Sequence, residues 1–488
     1  MMVAPFSDGT PLASQWPIPP GFFFDYEVRP DLGYAGTYFY HSHVGFQSVS
    51  ASGSLVVEES TGRPPHEYDE ERIIHLSDFF TKTDQTIEQG LISENFTWSG
   101  ETTNVLVNGQ GRLATNATGS CKLAAIDVEP GKTYRLRVIG ATALSFVRLA
   151  FQGHNMTIIE ADGHYTQPLD TSYLQIGAGQ RYSVLLTTLT EQQLERSSNM
   201  KRQFYMQMVT LGRPAVLITF AVLRYSGAVS DLVTVPTVPP LPVPSASPGW
   251  LDYQLRPLTP HSDFPSLSEV TRRIIVQVHQ NISTYIIWLE NGYPWTASFP
   301  TSPYLVDIYE GKYDMDAAYH RAIANGGLDN VTRTFPAKLG EVLEIVWQNE
   351  ASTNGGVENH PFHAHGRHYY DIGGGDGTYD PVANEKQLQG NPPVLRDTSV
   401  LYGYRSTTAP YAKSGWRAWR LRVDDAGVWL IHCHVLQHML MGMQSVWVFG
   451  NEEEIIHQSG NVSSGYLRYG GSAYGNETHW PKVMHYFD

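Results

Sequence analysis

Short apolar runs broken by glycine, proline, asparagine and aspartate recur along the whole chain, and this punctuation is the strongest restraint on its fold. The runs are "GTYFYHSH", "GSLVVEE", "RIIHLSDFF", "TYRLRVIG", "MTIIEAD", "YSVLLTT", "RIIVQVHQ", "VLEIVWQN", "WRAWRLRVD" and "MQSVWVFG". They are rich in β-branched and aromatic residues and short enough that strands are expected. Turn residues at such spacing belong to sandwiches and barrels. Helical periodicity is scarce, and "TEQQLERSSNMKRQ" (190–203) and "KYDMDAAYHRAIANGG" (312–327) are its best candidates. The 488 residues suit about three domains. A proline-rich stretch, "VPTVPPLPVPSASPGWLDYQLRPLTP", is expected to be extended and poor at forming ladders. The expected architecture is all-β, with a first unit at 1–65, a second at 66–240, a linker at 241–264 and a third at 265–488. The first span is too short for a complete β-sandwich of ~100 residues.

Charged residues make up 17% of the chain and its formal net charge is −15, with the acids scattered rather than gathered in a tail. A negative field argues against nucleic acid as a partner, because phosphate backbones call for basic patches. No apolar run reaches the ~18 residues of a membrane-spanning helix. N-glycosylation acceptor patterns start at Asn95, Asn116, Asn155, Asn281, Asn330, Asn461 and Asn476, a density that points to a secreted eukaryotic protein. The opening "MMVAPFSDGTPLASQWPIPPG" nevertheless lacks the charged and apolar regions of a signal peptide.

The chemistry concentrates in "HCHVLQHMLMGM", residues 432–443, which holds one of only two cysteines. Cys433, His438 and Met443 form Cys-x4-His-x4-Met. A thiolate, an imidazole and a weak axial thioether, joined by a remote imidazole, make a blue-copper site. His360 in "ENHPFHAHG" is the candidate remote ligand. Alternate residues of a strand face opposite ways, so His432 and His434 point away from the side that Cys433 faces. His41-x-His43 and His363-x-His365 repeat the spacing, and each pair can aim two imidazoles at a shared cluster. Electrons would pass singly through Cys433 into a multi-metal site, with dioxygen as the natural acceptor. Zinc fits poorly, since two cysteines cannot make its usual thiolate sets. His75, His154 and His279 stand alone and read as packing residues.

With these motifs the chain resembles the multicopper oxidases, the family of laccases, ascorbate oxidases and ferroxidases. "NVLVNGQG", "GKTYRLRVIGATALS" and "GHNMTIIEADGHYTQPLDT" resemble its middle domain, and "DAGVWLIHCHVLQHMLMGM" its C-terminal motif. The resemblance implies three consecutive cupredoxin-like domains, the first incomplete here. It implies up to four copper ions: type 1 copper on His360, Cys433, His438 and Met443, type 2 copper on His363, and the type 3 pair on His41, His43, His365, His432 and His434. The implied reaction couples one-electron oxidations of phenols, other small reductants or ascorbate to reduction of dioxygen to water.

The family's further His-x-His-Gly motif is missing from this sequence. In relatives that motif precedes an Asp-Gly pair such as Asp8-Gly9, so a segment carrying it, and a leader, is expected ahead of Met1. Type 2 copper would then be weak or absent, and oxygen reduction impaired, in the chain as written. The family's acid between the last histidines is replaced by Val435-Leu436-Gln437, which leaves Asp8 as a candidate proton relay, or a plain turn aspartate. Cys121 is left odd, with Trp16 standing where many laccases have a cysteine. Met443 as axial ligand implies a modest type 1 potential. The rival readings are a type 1 copper electron-transfer protein without a working oxygen site, a two-site nitrite reductase, which His432 and His434 count against, and a ferroxidase. The physiological reductant and the oligomeric state are not legible.

Overall fold

In the computed structural model, residues 5–112, 122–197, 201–228, 235–236, 238–244, 248–296, 299–405, 409–460 and 462–475 are described. Cys121, Asn116, Asn461 and Asn476 lie outside them. The architecture is all-β, as the punctuation predicts. Near the N-terminus, strands Gly36–His41 and Ser52–Val57 pair antiparallel, Gly36 opposite Val57 and His41 opposite Ser52. Strands between Glu70 and Tyr225 form a six-stranded and a five-stranded sheet, and strands between Arg272 and Phe449 form another six-stranded and five-stranded pair. No helix among the described residues is long and apolar enough to cross a membrane.

Each pair of sheets closes on an apolar core. Between the middle sheets lie Ile74, Leu136, Val138, Leu149, Ile158 and Val184 among others, all fully buried. Aromatics dominate the last core: Tyr369 stacks on Trp419 at 3.8 Å, Trp347 on Phe362 at 4.1 Å and Phe335 on Trp447 at 4.4 Å. A buried aromatic removes roughly 150–250 Å² from water, about 4–6 kcal/mol each as an upper figure. That core forms one wall of the site described below.

Buried ion pairs bind the units together. Glu160 accepts from Arg135 Nη2 at 2.5 Å and from the Thr37 amide, also at 2.5 Å, which ties the N-terminal hairpin to the middle sheets. Arg181 grips both carboxylate oxygens of Asp397, at 2.5 and 2.7 Å, and Arg396 reaches Asp162 at 2.6 Å, so the middle and last units exchange charges across their contact.

One local expectation needs revision. The predicted 190–203 helix is confined to Glu191–Arg196, because Thr190 caps it and Ser197 ends it in an extended conformation. The proline-rich stretch contains no strand among its described residues, yet it is docked rather than free. Leu251 and Leu255 bury in the middle core, and Gln167 donates its amide to the Arg256 carbonyl at 2.9 Å. Apolar residues interspersed with the prolines drive that docking. The 312–327 prediction matches helix Met315–Ala324, capped by Asp314.

Candidate metal centre

The pleat places the histidines. Strand Gly427–Cys433 pairs antiparallel with strand His360–Ala364, Phe362 opposite Cys433 and His363 opposite His432. Directly opposed residues share a face, and odd and even positions alternate. His360 therefore shares the Cys433 face, while His363, His365, His432 and His434 share the other. The chain then leaves the strand at His434, whose amide donates to the Pro361 carbonyl at 2.7 Å, and enters the short helix Leu436–Leu440. This turn doubles back, so that Met443 N donates to His438 O at 3.0 Å and Cys433 N to Met443 O at 3.1 Å. Cys-x4-His-x4-Met thus closes a loop around the end of one strand.

On the first face, Cys433 Sγ lies 3.8 Å from His360 Nδ1 and 3.7 Å from His438 Nδ1, and the two nitrogens are 3.2 Å apart. All three residues are buried, and Met443 is fully buried in the same core. Trp288 packs against both imidazoles, 4.8 and 4.6 Å between ring centres. Burial pushes the Cys433 thiol well above its ordinary range, so a thiolate here needs a cation beside it. Burial likewise holds His360 well below the ordinary imidazole value, so its ring is neutral and able to act as a ligand.

On the second face, six imidazoles converge. The candidate ligand atoms of His43, His365 and His432 all lie within 4.8 Å of one another, with His365 Nε2 and His432 Nε2 3.3 Å apart. His41 and His434 form a neighbouring pair, 5.1 Å between ring centres, and His363 lies 5.0 Å from His365 and 5.7 Å from His434. Several rings are anchored through Nδ1. His41 is held by the Ser42 carbonyl at 3.0 Å, His432 by that of Cys433 at 2.9 Å, and His363 by that of Asp397 at 3.0 Å. Such anchoring fixes the tautomer and leaves Nε2 for a metal. The buried His43 Nε2 has no hydrogen-bond partner among the described residues, which suits it to metal ligation. Burial lowers His41 to about 4 and holds His43, His432 and His434 well below the ordinary value. Neutral, converging, anchored imidazoles fit copper, and the thiolate–imidazole set on the other face fits it too.

Asp8 supplies the anchor for His365. Its carboxylate oxygens lie 3.1 and 3.0 Å from His365 Nδ1, and Thr10 donates its hydroxyl to Asp8 at 2.7 Å. Burial alone would raise the Asp8 pKa, but the charge and hydrogen bond of His365 outweigh it and bring the carboxyl below its ordinary value. The lone histidines behave differently. His154 is satisfied inside the middle domain by the Gln152 carbonyl at 2.8 Å and the Tyr225 hydroxyl at 2.6 Å.

Some contributors escape sequence reasoning. Asp397, locked by Arg181, stands behind His363 with Thr398, whose hydroxyl is 3.0 Å from the ring. Glu358 Oε2 lies 3.0 Å from His438 Nε2, at the outer edge of the first centre. Burial would raise the Glu358 pKa, but the hydrogen bond to His438 outweighs it and brings it down to about 2. Buried Asp78 accepts amides from Ala143, Leu144 and Ser145 at 3.0, 2.7 and 2.9 Å, and so shapes the loop beside His438. Glu358 lies only two residues before His360, a hint the sequence offered. For Asp397 and Asp78 no local pattern existed, since their partners are remote.

Three family models, each described as "Multicopper oxidase", match residues 1–62, 70–228 and 300–453. Laccase-like multicopper oxidase 1 of Thermothelomyces thermophilus is 44% identical, over 99% of this chain and 83% of its own length. An L-ascorbate oxidase of Cucurbita pepo var. melopepo is 31% identical, over 96% of this chain and 86% of its own. Among solved structures, the laccase from Botrytis aclada shares the fold with a TM-score of 0.69 at 21% identity, covering 93% of this chain and 77% of that one. Fet3p, a multicopper oxidase that functions in iron import, also gives a TM-score of 0.69 at 21% identity, over 99% of this chain and 86% of that one.

Proposed function

The chain belongs to the multicopper oxidase family, copper-dependent oxidoreductases that reduce dioxygen, and we propose that within it this protein oxidises small phenolic or related organic reductants. The observation that carries the reading is the pairing of Phe362 with Cys433 and of His363 with His432. One strand thereby joins an electron-accepting face to an oxygen-reducing face through a single peptide unit.

In this reading His360, Cys433, His438 and Met443 hold type 1 copper. The triplet His43, His365 and His432 holds one type 3 copper, His41 and His434 contribute to the other, and His363 serves type 2 copper. The copper ions supply one-electron storage and dioxygen reduction. The protein's own groups do the rest. His438 offers its Nε2 edge, through Glu358, to an arriving reductant. The Cys433–His432 and Cys433–His434 peptide links span the two faces. Asp8 orients His365 and, with the Thr10 hydroxyl, offers a path by which a proton reaches the cluster. Trp288 and the surrounding aromatics exclude water from the first face.

His363 is the imidazole we assign to type 2 copper within this sequence. Metal analysis during stepwise chelation reads how firmly each copper is held. The second reading is a type 1 copper electron-transfer protein that takes up electrons without passing them to oxygen. Export fits the acceptor patterns, since Asn95, Asn155 and Asn330 are exposed. Oxygen uptake with hydroquinone separates the two functional readings. One dioxygen consumed per four electrons donated supports the oxidase, whereas a single stoichiometric oxidation without oxygen uptake supports the carrier.

A further inference from the structure

The surface recess over His438 carries an unusual set of charges. Arg213 lies on its rim and is closed on both sides by carboxylates. Its Nε and Nη2 donate to the two oxygens of Glu101 at 2.8 and 2.6 Å, a bidentate pair, and its Nη1 lies 3.9 Å from Glu358 Oε2. The guanidinium is also held against the Trp98 ring, 5.8 Å from its centre, and is only 12% exposed. Buried Asp78 adds a third negative charge close enough to act on Arg213. Carboxylates outnumber cations here even when Lys82, bound to the Trp98 carbonyl at 3.0 Å, is counted. Apolar Leu144, Phe146 and Val400 line the remainder.

A planar guanidinium is the usual receptor for an anionic ligand, through two parallel hydrogen bonds. Here both of those hydrogen bonds already go to Glu101. The Nε–Nη2 edge is thus taken, the remaining Nη1 lies nearest Glu358 at 3.9 Å, and an anion approaching His438 meets Glu358, 40% exposed, first. A neutral phenol or a protonated amine meets the same carboxylate as an acceptor.

We propose that this recess is a charge filter, admitting neutral or cationic aromatic reductants and turning away anionic ones such as ascorbate, with Glu101 as the specificity-determining residue that keeps Arg213 closed. The inference rests on His438 being the edge through which electrons arrive. The chemistry balances within the family reaction. Each phenol yields one electron through His438 and one proton to solvent, and four electrons with four protons convert one dioxygen into two waters. An unfavourable net charge at contact distance is worth on the order of tenfold in affinity.

The copper-loaded 488-residue protein is titrated with three redox-inert probes of one shape, benzylammonium, benzyl alcohol and benzoate, with binding read by saturation-transfer NMR. Benzoate is expected to bind at least about tenfold more weakly than the other two. Glu101→Gln frees Arg213 and is expected to raise benzoate affinity several-fold relative to benzyl alcohol, and adding Arg213→Gln reverses that gain. Equal binding of the three probes by the wild type, or a ratio unmoved by Glu101→Gln, overturns the filter. The wild-type series decides alone if the variant does not fold. A separate anaerobic readout isolates the underlying reading: a visible copper band that hydroquinone does not bleach removes His438 as the input edge, whatever the order of the probes.

Discussion

At the scale of single residues, the two-residue period of a strand is the central device. Cys433 and His432 are neighbours in sequence yet face different candidate metal clusters, so a substitution at either is expected to have a different signature. Cys433→Ser removes the thiolate and is expected to abolish the intense visible band and donor oxidation together, while the second face keeps its imidazoles; optical and magnetic-resonance spectra of the same sample check this. Asp8→Asn acts from the other side. The ring of His365 loses its anionic anchor, and oxygen-driven turnover is expected to fall roughly 10–100-fold with the visible band intact. Turnover equal to wild type would return Asp8 to the role of a plain turn residue.

At the scale of elements, the Arg181–Asp397 bridge is where the middle unit supports the histidine cluster. Both groups are held away from water, and Asp397 also backs His363. Arg181→Ala leaves a buried carboxylate without its cation, a loss of about 3–5 kcal/mol. It is expected as a lowered urea midpoint for the first unfolding transition, together with earlier copper release during chelation. An unchanged midpoint would show that the bridge contributes no net stability. Elements were legible where chemistry is local. The ten strand runs all coincide with strands because β-branched and aromatic residues at turn-bounded spacing have few other conformations open to them. The histidine pairs were legible because metal ligation imposes spacing. The helices Asp84–Ile92 and Pro381–Leu388 were not, being short segments whose helicity is decided by caps at Thr83 and Asp380 and by packing, the first against helix Leu436–Leu440 and the second against strand Tyr369–Gly375. Arg181, Asp397, Glu101 and Arg213 escaped for a different reason. Ion pairs across 216 and 112 residues leave no trace in local pattern.

At the scale of the whole molecule, stability and catalysis share one core. Glu290 sits in it, 3% exposed, and burial pushes its carboxyl up to about 8, with Ser445 only partly offsetting. The folded state therefore holds a proton that the unfolded chain releases above about 4.5. Stability from this group is full below that value and falls by up to ~1.4 kcal/mol per pH unit until the pH passes about 8, where the loss levels off. Glu290→Gln removes the dependence, so thermal scans should show the variant gaining roughly 2–4 kcal/mol on the wild type between pH 5 and pH 8. A constant difference across that range would contradict the assignment. In the proposed oxidase, electrons taken up at Cys433 leave through the histidine cluster to oxygen. The direct measurement is to bleach the visible band of the copper-loaded chain anaerobically with hydroquinone, admit oxygen, and follow the band by stopped flow. Return of the band, with consumption of oxygen, is the predicted result. A band that bleaches and stays bleached in oxygen would contradict it, and would make this chain a carrier of electrons rather than an oxidase.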